Sequence, residues 1–468
     1  MPKAINPSRR RLLLLAGAAL GSGALGGIAH FAHADSDGDD SDNHFEDSAN
    51  TSFTLASTGL VARVVVVGGG MAGATAAKYL RLWGGSGLQV TLVEPNARYT
   101  SNIMSNLVLN GSRNIATLGY TYDSLAAKYG VTVKAARVTA IDSAARSLSL
   151  SDGSSLAYDR LILAPGVEFA DAYGLTQADY ATRTPHAWQA GAQTTLLASQ
   201  LAAMQDGTFV MTIPKAPYRC PPGPYERACL VADYLKTYRG AGSRVIVLDE
   251  NASIQAERET FTHAFGVTHA GVISYEAGVT GITIDPLTRR VSYLDAVGAP
   301  RTIDAQVVSP IPPHRASGSV AGGWLAAAGL NNSADGRWCV VDVLSYQSTA
   351  VAGIHVIGDA ASCGMPKAGH VANQEAKICA DAIIRLLAGQ QPDPAPVANS
   401  ACYSPITATT ASWLTAVYQY DSAGRKMVLA ANGGNPVGAT AIEAASVNSS
   451  NFRQMGTWFN TLMGDSFG

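Results

Sequence analysis

The sequence predicts an α/β chain of two dinucleotide-binding, Rossmann-like units followed by a small C-terminal domain of another kind. Three observations carry this. Arg63-Val64-Val65-Val66-Val67 is a short β-branched run that enters Gly68-Gly69-Gly70-Met71-Ala72-Gly73 and then an alanine-rich stretch. A second apolar run, Phe209-Val210-Met211-Thr212-Ile213, also leads into a helical pattern, from Arg227 to Tyr238. From residue 391 the composition turns to Thr, Ser, Tyr and Trp, with Asn-Gly-Gly-Asn at 432–435 as a turn signal. With 468 residues, 47% hydrophobic and 15% charged, the chain can bury two or three cores.

In the first unit, Arg63–Val67 reads as a buried parallel strand. The loop after it fits G-x-G-x-x-G, with Gly68, Gly70 and Gly73 in the glycine positions and Met71 and Ala72 between them. The helix runs through Leu82, and a second strand, Val90–Val93, ends at Glu94, about twenty residues after Gly73, where a ribose-binding carboxylate belongs. Leu161-Ile162-Leu163-Ala164-Pro165-Gly166 is a strand closing on a small turn, and His355-Val356-Ile357-Gly358-Asp359-Ala360 is another beside a helix from His370 to Leu387. These segments favour FAD over NAD. Asp359 is positioned for the ribityl hydroxyls, while Val138, Pro165, Gly166 and Gly358 complete the expected cofactor wall.

The second unit departs from the pattern. Its loop is Tyr218-Arg219-Cys220-Pro221-Pro222-Gly223-Pro224-Tyr225-Glu226. A phosphate cradle needs glycines whose N–H groups reach the pyrophosphate. Prolines remove those donors and stiffen the loop. One dinucleotide site has been exchanged for a positioned thiol. Glu226, one turn into the following helix, is a candidate base, or an N-terminal carboxylate answering the helix dipole. Lys367 is expected near the flavin ring, where its charge would stabilise the reduced form; a surface lysine is the competing reading.

Ser8-Arg9-Arg10-Arg11-Leu12-Leu13-Leu14, an apolar Gly/Ala/Leu stretch and Ala32-His33-Ala34 read as a twin-arginine signal over residues 1–34, hence export to the periplasm. Losing Lys3, Arg9, Arg10 and Arg11 would take the formal net charge from −2 to −6. Residues 35–62 begin with an acidic run, Asp35 to Asp47, too poor in apolar residues to fold. Nothing basic and aromatic-interleaved points to nucleic acid. The six cysteines have no zinc-ligand spacing and no haem-attachment motif. The remaining boundaries are 63–170 with 311–390 for the flavin domain, 171–310 for the second unit and 391–468 for an interface domain.

At Arg219-Cys220-Pro221-Pro222-Gly223-Pro224-Tyr225-Glu226-Arg227 the chain resembles the flavoprotein subunit of flavocytochrome c sulfide dehydrogenase, within the flavoprotein disulfide reductase superfamily. Ile311-Pro312-Pro313, Trp338-Cys339-Val340-Val341-Asp342, Met365-Pro366-Lys367-Ala368-Gly369, Ala401-Cys402-Tyr403-Ser404 and Asp465-Ser466-Phe467-Gly468 extend it to the C-terminus. The resemblance implies FAD, sulfide as substrate and a c-type cytochrome partner. It also implies a redox-active disulfide, mapped onto Cys220 and Cys339, that sulfide opens to a persulfide. Some members attach FAD through a cysteine in a Tyr-Thr-Cys segment; here Tyr99-Thr100-Ser101 has none, so noncovalent FAD is expected. Cys229 and Cys379 read as packed small hydrophobes, and Cys363 as a weak flavin-side candidate. A sulfide:quinone reductase is an alternative, which should show an amphipathic or basic C-terminal helix pair. An accessory flavoprotein that reactivates a periplasmic sulfur-oxidising complex is another.

Overall fold

The computed structural model describes residues 54–240, 242–430 and 441–468. The export segment, the acidic run and the Asn-Gly-Gly-Asn turn lie outside the described residues. In chain order the first unit comprises β1 (Ala62–Val67), α1 (Met71–Gly84), β2 (Leu88–Val93), β3 (Thr132–Lys134) and β4 (Arg160–Leu163). The second comprises β5 (Thr208–Ile213), α2 (Gly223–Tyr238), β6 (Arg244–Asp249), β7 (Ile273–Ala277) and β8 (Val307–Pro310). The chain then returns through β9 (Cys339–Asp342), β10 (Gln347–Ser348), β11 (Ile354–Val356), β12 (Ala361–Ser362) and α3 (Gly369–Leu387). The tail carries β13 (Val397–Pro405), β14 (Ala411–Asp421), β15 (Lys426–Leu429), β16 (Ile442–Glu443) and α4 (Ser449–Phe467).

The first sheet has eight strands in the order β12-β9-β10-β11-β4-β1-β2-β3, so the returning strands extend it as a block beyond β4. Central β1 lies parallel between β2 and β4, and its valines 64 to 67 are all buried. A strand covered on both faces needs this continuous β-branched run. The second sheet, β7-β6-β5-β8, is wholly parallel, with Phe209 opposite Val245 and Ile213 opposite Asp249. Helix α2 begins at Gly223, four residues before the expected Arg227, because Pro222 and Pro224 suit a first turn whose N–H groups have no helical partner.

The tail forms an antiparallel sheet in which β14 pairs with β13, β15 and β16. Strand β13 touches both α2 and α3. It therefore lies between the cysteine loop's helix and the returning flavin-domain helix. The tail also ends in a 19-residue helix, α4, which packs on α1 and was not expected from composition. Among the described residues, no helix is long and apolar enough to cross a membrane.

Candidate active site

The glycine loop at the end of β1 is shaped by close approach. Gly68 is at φ +96°, and a Cβ there would lie 2.2 Å from the Ala164 carbonyl oxygen. A Cβ on Gly73 would lie 1.8 Å from the Gly68 oxygen, so Gly73 seats the helix on the strand and stays behind the cavity wall. Gly70 meets nothing nearer than a Tyr99 ring carbon at 3.9 Å and borders open space. No acid stands in the first turn of α1, so its positive end is free to face an anion. Glu94 accepts the Gly69 N–H at 2.8 Å and both the backbone and side-chain N–H of Asn96, at 2.9 and 2.7 Å.

A cavity of about 1640 Å³ runs from this loop to the second unit. Gly68, Gly70, Met71, Ala72 and Glu94 line one end, with Val138, Pro165 and Gly166 beside them. Gly358 and Asp359 border it near the N-terminus of α3. A narrow loop that a Cβ would fill, an acid-free helix start and a cavity of this length fit FAD. Lys367 is buried, which removes the surface reading. Its ammonium donates to the carbonyls of Asp359 and Ala361 at 2.8 and 2.7 Å and lies 3.8 Å from the Trp338 ring centre. It is off the wall of the main cavity, because those carbonyls and the indole face hold it in the interior.

At the opposite end the proline loop presents Cys220. Its φ of +57° is left-handed backbone, uncommon for a residue with a Cβ. Two backbone bonds hold it there: its N–H donates to Lys367 O at 2.7 Å, and its carbonyl accepts the Gly223 N–H at 3.0 Å. Arg219 next to it pairs with Asp359 at 3.6 Å, tying the thiol loop to the flavin-side turn. The Arg219 N–H donates to His314 Nε2 at 2.7 Å, so His314 carries its proton on Nδ1 toward Pro312 O. Burial holds His314 down to about 3, neutral at working pH.

Glu226 is 8% exposed on the same cavity wall. Its Oε1 accepts from Asn106 Nδ2 at 2.9 Å, and burial pushes its carboxyl up to about 8, against the pull of Asn106. Next to it, Arg227 is fixed by Asn106, Ser309 and the carbonyls of His186 and Ala187, with its charge 4.7 Å from the Trp188 ring.

The two cysteines that the resemblance pairs are carried by different elements, Cys220 by the proline loop and Cys339 by β9. All six cysteines are free thiols. Cys339 is fully buried in β9 opposite Ala361, off the cavity wall, and the charge that acts on it is that of Lys367. Cys402 on β13 lines the cavity together with Cys220. Its thiol is pushed well above the ordinary range by burial, then by the charges of Cys220, Glu257 and Glu226. Cys402 is thus the second cysteine on the cavity wall. Strand alternation turns the Cys339 side chain into the core, as it does that of Val341 two residues on. Cys363 donates to Glu375 Oε1 at 3.0 Å, and Cys229 and Cys379 are fully buried. Sequence reading also passed over Glu257, 2% exposed behind these sulfurs; no motif marks it.

Residues 194–312 match the family model of the sulfide dehydrogenase (flavocytochrome c) flavoprotein chain, central region. Residues 62–195 match that of pyridine nucleotide-disulphide oxidoreductases. The fold is similar to the sulfide:quinone oxidoreductase of Aquifex aeolicus, with TM-score 0.68 and 17% identity over 86% of this chain and 91% of that one. A NAD-dependent persulfide reductase from A. fulgidus aligns with TM-score 0.53 and 15% identity over 78% of this chain and 72% of that one. Ferroptosis suppressor protein 1 of Taeniopygia guttata is 34% identical over 104 residues, 22% of this chain and 26% of that relative's length. The chain thus has the fold of the flavin-dependent disulfide reductases, with a pyridine nucleotide-disulphide oxidoreductase match over 62–195 and a match to the central region of the flavocytochrome c sulfide dehydrogenase flavoprotein chain over 194–312.

Proposed function

We propose that the protein oxidises sulfide at a Cys220–Cys402 pair and passes the electrons through noncovalent FAD to a c-type cytochrome subunit in the periplasm. The observation that carries this is that two cysteines line one cavity with the glycine loop, one of them at the turn where prolines replace a nucleotide cradle. Bound there, FAD supplies a two-electron acceptor that can release electrons one at a time.

In the oxidised form the two sulfurs are bonded, and hydrosulfide attacks one of them. The Cys–Cys bond breaks, a new S–S bond makes a persulfide on one cysteine, and the other leaves as thiolate. Burial pushes the Cys220 thiol up to about 12, so the leaving sulfur needs a proton partner. Glu226, protonated up to about pH 8, is within electrostatic reach to supply it. Arg219, held by Asp359, orients the loop that carries the thiol.

The family match at residues 194–312 supports the cytochrome reading. A quinone acceptor would suit the A. aeolicus fold likeness equally. The tail favours a protein acceptor, since it is an antiparallel sheet with one helix packed on α1 rather than a basic helix pair. The twin-arginine segment at Arg9-Arg10 supports export, and Ser101 in place of a cysteine supports noncovalent FAD. Acid precipitation should leave the flavin in the supernatant. Anaerobic sulfide should bleach the flavin of the intact chain, and Cys220→Ser and Cys402→Ser should each abolish bleaching while Cys339→Ser keeps it. Bleaching that survives in Cys402→Ser would overturn the pairing.

A further inference from the structure

We propose that Glu257 relays the proton released by sulfide oxidation to the protein surface at Glu443, through the hydroxyls of Ser412 and Thr260. The assignment rests on the sulfide-oxidising reading above. Hydrosulfide delivers two electrons and one proton. A cytochrome takes electrons alone, so each full turnover must return one proton to solvent from a site whose acid, Glu226, is buried.

Glu257 stands behind that site in an unfavourable state twice over. Its φ of +48° is left-handed backbone, and its buried Oε1 has no hydrogen-bond partner. Its other oxygen, Oε2, accepts from the Ser404 hydroxyl. A buried, unpaired carboxyl is costly to keep unless it does something. The charge of Glu257 acts on Glu226, so the two carboxyls stand within electrostatic reach of each other.

Beyond Glu257 the hydroxyls continue outward. Ser404 and Ser412 are paired across β13 and β14, both fully buried, and the Ser412 hydroxyl is close enough to draw the Glu257 carboxyl down. Ser412 Oγ lies 3.4 Å from Thr260 Oγ1, which donates to Glu443 Oε2 at 2.8 Å. Glu443, on β16, is partly exposed. The titratable groups facing Glu257 are Glu226 and Cys229 of α2, Cys402 of β13 and Glu443. Burial sets Glu257 at about 7 and Glu226 at about 8, a match that lets a proton pass either way near neutral pH.

The test is steady-state turnover of the full FAD-loaded chain with sulfide and oxidised cytochrome c from pH 6 to 9, beside anaerobic flavin bleaching. Glu257→Gln should slow turnover by at least about tenfold and lose the pH limb near neutrality. Glu257→Asp, or imidazole added as a mobile proton carrier, should restore part of the rate, and Glu443→Gln should disturb the same limb. Wild-type rates at every pH in Glu257→Gln, with bleaching intact, would overturn the relay and leave the sulfide reading standing. A slow Glu257→Gln with an unchanged pH profile and no rescue would also overturn it, as a packing role. Absence of bleaching in the unaltered chain would remove the sulfide reading and the relay together.

Discussion

At φ +57° Cys220 occupies backbone that costs a non-glycine residue on the order of 1–3 kcal/mol. Its bonds to Lys367 and Gly223 hold it there, and Gly223 leaves room for the sulfur. A Cβ on Gly223 would lie 2.8 Å from Cys220 Sγ and 2.9 Å from the Trp188 ring. Gly223→Ala should therefore destabilise the protein by about 1–3 kcal/mol and slow flavin bleaching by sulfide, as thermal unfolding and rapid mixing would show. The reacting loop was legible at this scale, because proline chemistry and a lone thiol declare themselves locally. Cys402 was not legible. Its place on the cavity wall depends on β13 passing between α2 and α3, and spacing along the chain carries none of that.

Helix α4 braces the flavin domain from the far end of the sequence. Asp465 accepts from Tyr79 at 2.5 Å, Asn373 at 2.8 Å and Lys377 at 2.7 Å. Lys78 donates to the Gly464 and Asp465 carbonyls at 3.1 and 3.0 Å, a cation at a helix C-terminus. Phe467 stacks on Tyr99, which lines the cavity, with ring centres 5.2 Å apart. The Lys377 side chain is 5% exposed and that of Asp465 27%, so the pair is partly screened. Asp465→Ala should cost about 1–3 kcal/mol and loosen FAD, measured by unfolding and by flavin lost on gel filtration. An unchanged flavin content would limit α4 to a stabilising role. This helix could have been found. Met455, Trp458, Phe459, Leu462 and Met463 repeat at three- and four-residue steps, but the Thr- and Tyr-rich strands before it set the reading of the whole tail.

Across the whole molecule, buried histidines and buried carboxyls give stability two opposite dependences on pH. His355 is fully buried, and desolvation lowers it from 6.5 to about 4. Between those values the unfolded chain binds a proton that the folded chain refuses, so stability falls as pH drops from 6.5 toward 4, by on the order of 3 kcal/mol from this group. Glu226 and Glu257 are raised from 4.5 to about 8 and about 7. There the folded chain keeps protons the unfolded chain loses, so stability falls as pH climbs from 4.5 through 7 to 8. Denaturant midpoints should decline on both sides, and Glu257→Gln should gain stability at pH 9 relative to the unaltered chain. The first unit was readable because strand, glycine loop, helix and acid follow one another locally. The eight-strand order was not, since β9 to β12 join that sheet only after the second unit has intervened.

The central claim is that the cavity pairs the sulfur of Cys220 with that of Cys402. Non-reducing peptide mapping of the oxidised, FAD-loaded protein tests it directly. The account predicts one linked species containing Cys220 and Cys402, with Cys339 alkylated only on unfolding. A Cys220–Cys339 link, or no link to Cys220 in protein whose flavin sulfide still bleaches, would contradict it.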